Sequence, residues 1–160
     1  MGNSLEIFNQ EFSELSKKGK FNDTEKIFVG GAYPNEFVNL TAKDIDSAIS
    51  DKPVAIYASD GHSLWMNTAF MKDMNINKNT KDYVPGASYF RRDSEGNPTG
   101  YFAEPQIMLN KISASYNIDK TKIYNSLKEL NALYNSLGYT SVVDAGFLIL
   151  SNEDGLKILK

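Results

Sequence analysis

Cysteine is absent from this 160-residue chain, and histidine occurs once. The first absence excludes disulfides, thiolate nucleophiles and cysteine metal ligands together, and it leaves the redox compartment open. The second sets a limit. Any mechanism that needs two or more histidines cannot be completed by these residues alone. Arginine is confined to Arg91 and Arg92, and the net charge is -3. A nucleic-acid partner requires a clustered basic face, whereas the lysines here are scattered as a solvated surface. No apolar run approaches the roughly 20 residues that span a bilayer. The N-terminal stretch is polar, without the basic-then-apolar order of a secretion signal. The expectations are therefore no nucleic acid, no membrane and a cytoplasmic address.

Motif absences narrow the chemistry further. Gly30-Gly31 is followed by no Gly-Lys-Ser/Thr, and Gly-x-Gly-x-x-Gly is missing, so nucleotide binding has no support. A serine-hydrolase elbow, Gly-x-Ser-x-Gly, is missing too. What remains is an ordinary globular composition, 41% hydrophobic and 23% charged. One domain of this size buries roughly two thirds of its unfolded surface.

Along the chain, Leu5, Phe8, Phe12 and Leu15 recur at helical spacing, which predicts a helix over 3–18 ended by Lys17-Lys18-Gly19. Ile27 to Gly31 reads as a buried strand opening into a glycine loop kept irregular by Tyr33-Pro34-Asn35. Thr41 and Asp44 resemble a capping box for a helix over 42–50. Val54 to Ala58 is a strand apolar on both faces, as inside a parallel sheet. Ser63 is placed to cap a helix from Leu64 to Met74. After a polar loop over 75–88, the runs 88–92 and 99–102 flank a turn rich in Gly, Asn and Pro, predicting a β-hairpin. A helix from Asp119 to Gly138 carries Ile123, Leu127, Leu130, Tyr134 and Leu137 on one face. The β-branched run 139–143 then predicts a strand ending in Asp144-Ala145-Gly146.

Two strands thus each deliver an aspartate followed closely by glycine, at Asp60 and Asp144, and α/β folds keep their chemistry at such strand ends. The first also delivers the lone His62, whose imidazole titrates near neutrality. His62 either caps local backbone or contacts substrate, moves a proton or binds metal. Asp60 and Asp144 either cap loops or line a site. Trp65 either belongs to the core or lines a pocket. A metal-free pairing of Asp60 with His62 is disfavoured, because residues two apart in a loop rarely face each other at about 3 Å.

Taken in order, Ile27-Phe28-Val29-Gly30-Gly31, Asp60-Gly61-His62-Ser63-Leu64-Trp65-Met66-Asn67, Asp93-Ser94-Glu95-Gly96-Asn97-Pro98-Thr99-Gly100 with Glu104, and Leu137 to Gly146 resemble the amidohydrolase family that includes AepA-type exoenzyme regulatory proteins. The resemblance implies a metal-dependent hydrolase on a (β/α)8 barrel of several hundred residues, acting on C-N bonds of amides or cyclic amides. The expected fold class is accordingly α/β, a partial (β/α)-barrel segment with an inserted hairpin at 88–103, the whole of 1–160 being one domain. By the same resemblance, Glu104 is the catalytic candidate and a possible metal-bridging acid. His62, Asp60 and Trp65 are the substrate-binding candidates.

The divalent metal, zinc first among candidates, belongs to the longer parent. One histidine and no cysteine cannot assemble the three or four ligands of a catalytic zinc site. The chain alone is expected to bind no cofactor and to be inactive. The alternative is a non-catalytic binding or regulatory module derived from an amidohydrolase. An excised barrel segment would also expose sheet edges, so self-association is expected.

Overall fold

A computed structural model describes residues 4–23, 25–32, 35, 37–115 and 120–143. The chain divides into two compact units, Met1–Pro105 and Gln106–Lys160. The first is a mixed α/β layer in the element order α1 (Ser4–Lys17), β1 (Ile27–Ala32), α2 (Ala42–Ala48), β2 (Val54–Ala58), β3 (Ser63–Met66), α3 (Thr68–Asp73), β4 (Phe90–Arg92) and β5 (Pro98–Ala103). Its five strands lie in the order β1-β2-β3-β5-β4.

Only β1 and β2 run parallel, with Ile27 opposite Val54 and Val29 opposite Ile56. The crossover between them carries α2, where the Asp44 carboxylate accepts from the Thr41 amide at 2.8 Å and from the Thr41 hydroxyl at 2.6 Å. The other three pairings, β2 with β3, β3 with β5 and β4 with β5, are antiparallel. The predicted hairpin therefore does more than decorate the sheet, since β5 is paired on both sides.

The main correction concerns 63–74. Ser63–Met66 is a strand rather than the first turn of a helix, and α3 begins only at Thr68, capped by Asn67. Leu and Met favour helices in isolation. Here all four residues of β3 are buried between β2 and β5, and a short apolar run buried on both faces reads equally well as strand or helix. Consequently the Asp60–His62 segment joins two antiparallel strands, instead of leading from a parallel strand into a helix.

One face of the sheet carries the main core. Ile27, Val54, Ile56, Ala58 and Trp65 pack with Phe12, Phe37, Leu40, Ile45 and Ile49 from the overlying helices and loop. The helical spacing read in α1 is what brings Phe8 and Phe12 together, their rings stacked at 5.0 Å. On the opposite face, Phe70 of α3 meets Phe28 edge-on at 5.8 Å, and Phe102 meets Phe90 at 4.5 Å.

The second unit contains α4 (Gln106–Ser115) and α5 (Lys120–Ser136). The sequence reading assigned no element to α4; α5 lies within the predicted helix. Residues 139–143 form no strand: a β-branched run needs a pairing partner, and Tyr139, Val142 and Val143 are exposed instead. Tyr33, Pro34, Asp119 and the Asp144–Gly146 strand end lie outside the described residues.

Candidate functional site

The β2–β3 connection is built by short-range bonds that each need a particular residue. The Asp60 carboxylate accepts from the His62 amide at 2.9 Å, and the Gly61 amide donates to the Ala58 carbonyl at 3.2 Å. Gly61 has φ 81°, and a Cβ there would lie 3.3 Å from the Tyr57 hydroxyl oxygen. That hydroxyl donates to the Gly61 carbonyl at 3.0 Å, holding the loop against its own strand. Glycine suits both the left-handed backbone and the close approach.

His62 then meets Glu104, 42 residues further along the chain, at two points. The Glu104 amide donates to the His62 carbonyl at 2.9 Å, and His62 Nδ1 lies 3.0 Å from Glu104 Oε2. Glu104 follows the last residue of β5 and takes φ 50°, a left-handed conformation rare for a residue with a side chain. Such a backbone costs roughly 1–2 kcal/mol. The Ser88 hydroxyl donates to the Glu104 carbonyl at 2.9 Å and helps to hold it. The strand register puts Tyr57, Leu64 and Phe102 on one face of the sheet, directly across from one another, with His62 and Glu104 just beyond the strand ends.

An ionised carboxylate can only accept, so the imidazole proton facing Glu104 sits on Nδ1. The hydrogen bond to Glu104 is the main reason the His62 pKa is raised above its usual value, followed by the Glu104 charge; burial opposes the shift, and Asp60 adds to it. The Tyr57 phenol is also pushed up, first by burial and then by Asp60 and Glu104. With side chains 65% and 53% exposed, the His62–Glu104 pair is screened by water and contributes little to stability.

Its pH signature is nevertheless definite. A raised histidine pKa gives a stabilising contribution that is complete below about 6.5, the unfolded value, and disappears as pH rises through the folded value. Glu104→Gln is expected to move the His62 titration down toward that ordinary value. As the chain has one histidine, a single imidazole resonance followed by NMR reads this without assignment ambiguity. An unchanged titration would mean that the contact is not made in solution.

Three of the sequence candidates, Asp60, His62 and Glu104, therefore come together at one end of the sheet. Asp60 shapes the loop by holding the His62 amide, and Glu104 takes the role at the imidazole that an Asp60–His62 pairing would have filled. Trp65 does not join them. It is 1% exposed in the core, 5.7 Å from the Tyr101 ring and 6.0 Å from Phe37. Tyr57 and Ser88 were not anticipated; a tyrosine four residues before the Gly61 carbonyl is visible in sequence, but only the antiparallel turn brings its hydroxyl back to the loop.

The donor set does not fit a metal centre. Among the described residues, no group of three or more His, Cys, Asp or Glu side chains could hold a metal ion. Nor is any described helix long and apolar enough to cross a membrane.

The family question is settled by sequence. The sequence model of the amidohydrolase family matches residues 22–159, which include the entire His62–Glu104 site. The chain belongs to the amidohydrolase family. Within it, the exoenzymes regulatory protein AepA of Pectobacterium carotovorum subsp. carotovorum is 35% identical over 106 residues, covering 66% of this chain and 23% of AepA. The crystal structure of an uncharacterized metal-dependent hydrolase from Pyrococcus horikoshii OT3 superposes with a TM-score of 0.53 at 20% identity, covering 99% of this chain and 28% of that one. This amidohydrolase chain thus spans about a quarter of each relative, and the structural likeness is one of fold.

Proposed function

We propose that this chain forms part of the substrate-facing mouth of an amidohydrolase-family hydrolase that cleaves the C-N bond of an amide or cyclic amide. In this reading His62 contacts the substrate, Glu104 is the proton-handling carboxylate beside it, and Asp60 keeps the loop in shape. The observation that carries it is the two-point contact between His62 and Glu104, which fixes an exposed imidazole against an exposed carboxylate at a strand end. Catalytic acid–base groups need this kind of reach and orientation. The parallel β1–α2–β2 unit supports reading the segment as a portion of a (β/α) barrel.

A divalent metal, zinc foremost, belongs to this reading through the family. The described residues do not fit a metal site, and the chain by itself is expected to hydrolyse nothing. Titrating the labelled chain with simple lactams tests the binding half. Saturable perturbation of the His62 ring and of the Glu104 amide is expected, and no perturbation up to the solubility limit would overturn the site. Robust amide turnover by the chain alone would overturn its inactivity.

A further inference from the structure

We infer that in the neutral ring His62 Nε2 is a hydrogen-bond acceptor that selects ligands carrying an amide N-H, with Glu104 fixing the tautomer and Tyr57 acting as a positioning residue through the loop. The inference rests on the reading of this site as an amide-binding mouth and narrows the amide it takes.

Glu104 Oε2 lies 3.0 Å from Nδ1, and a carboxylate offers that nitrogen only lone pairs. The neutral ring must therefore carry its proton on Nδ1 and present Nε2 bare. Nε2 has no partner among the described residues, and the side chain is 65% exposed. A bare imidazole nitrogen at a site mouth is complemented by a donor. Primary and secondary amides, lactams with N-H included, supply one; esters, tertiary amides and N-alkylated lactams do not.

The same geometry explains what keeps the ring in register. The Tyr57 hydroxyl holds the Gly61 carbonyl at 3.0 Å, one residue before His62, and the Glu104 amide holds the His62 carbonyl at 2.9 Å. With both backbone anchors made, the ring has a fixed origin from which to reach Glu104. Removing the Tyr57 hydroxyl frees the first anchor while leaving the ring packing of a phenylalanine in its place.

A matched pair of probes tests the inference, 2-pyrrolidinone with its N-H and 1-methyl-2-pyrrolidinone without it, titrated by NMR at about pH 9, above the usual range of histidine pKa values. The N-H lactam is expected to bind about five-fold tighter, the range of one hydrogen bond. In Glu104→Gln the side-chain amide can donate or accept, the tautomer is released, and the preference should fall to near unity. Tyr57→Phe should lower it as well with the fold intact by circular dichroism, a readout that a purely structural hydroxyl would not move. Equal affinity of the two lactams for the native chain overturns this inference and leaves the proposed site standing. Failure of both to bind removes the site and the inference together. A preference that survives Glu104→Gln shows that Glu104 does not set it and overturns the assignment.

Discussion

Gly100→Ala is expected to unfold the first unit or bring it to the edge of unfolding. Gly100 lies in β5 with φ 100°, and a Cβ there would sit 2.5 Å from the Met66 carbonyl oxygen of β3 and 2.7 Å from the Ala42 amide nitrogen of α2. Both obstacles are backbone, so no side-chain rotation relieves the clash. The left-handed strain and the forced displacement of two elements together cost about 4 kcal/mol or more. Since natural domains are stable by about 5–15 kcal/mol, that is a large fraction of the whole. Urea denaturation reads the change directly. Gly30→Ala in β1 is the control, because nothing lies within 4 Å of the added carbon and φ there is not left-handed. It should shift stability by less than about 1 kcal/mol. If the two variants denature together, the close approach of β5 to α2 is wrong.

Asn67→Ala is expected to destabilise by about 3–5 kcal/mol, beyond the roughly 0.5–2 of an ordinary helix cap. Asn67 is fully buried. Its Oδ1 accepts from the Phe70 amide at 2.8 Å, capping α3, and from the Val54 amide at 2.9 Å at the start of β2. Its Nδ2 donates to the Lys52 carbonyl at 2.8 Å and to the Ile49 carbonyl at 3.1 Å, closing off α2. Truncation leaves four backbone groups without these partners, those of Phe70 in α3, Val54 in β2, Ile49 at the end of α2 and Lys52 in the connection between α2 and β2. Asn67→Asp separates the contributions: it keeps both acceptor bonds and loses both donor bonds. Stability within about 1 kcal/mol of the native chain would show that the donor bonds carry almost nothing.

Legibility followed the range of the forces involved. The helix α1, the strand β2 and most of α5 were readable because the spacing of Leu5, Phe8, Phe12 and Leu15, the Val54–Ala58 run and the Ile123–Leu137 stripe are local statements about one face. The Asp93–Asn97 turn was readable for the same reason: Asp93 Oδ1 accepts from the Asn97 amide at 2.8 Å and the Glu95 amide at 2.9 Å. What failed depended on distant partners. Leu64-Trp65-Met66 is a strand because β2 and β5 flank it, and Asn67, not Ser63, caps the following helix.

The site divided along the same line. Asp60-Gly61-His62 announced a loop with chemistry, and Glu104 stood out through the family resemblance. That these two meet, and that Asp60 serves the backbone while Glu104 serves the imidazole, follows only from the antiparallel register of β3 with β5. Tyr57 escaped notice because a tyrosine inside an apolar strand looks like packing until the chain turns back over it.

The burial of Trp65 has an optical consequence. It is the chain's only tryptophan, enclosed by Phe37 and Tyr101 in the first unit, so indole emission is a private signal of that unit. Far-ultraviolet dichroism, in contrast, sums the helices of both units, α1 to α3 of the first with α4 and α5 of the second. Recording both during one thermal ramp separates the melting of the two units without a label, and a blue-shifted emission maximum that persists while ellipticity falls would reveal the first unit standing alone.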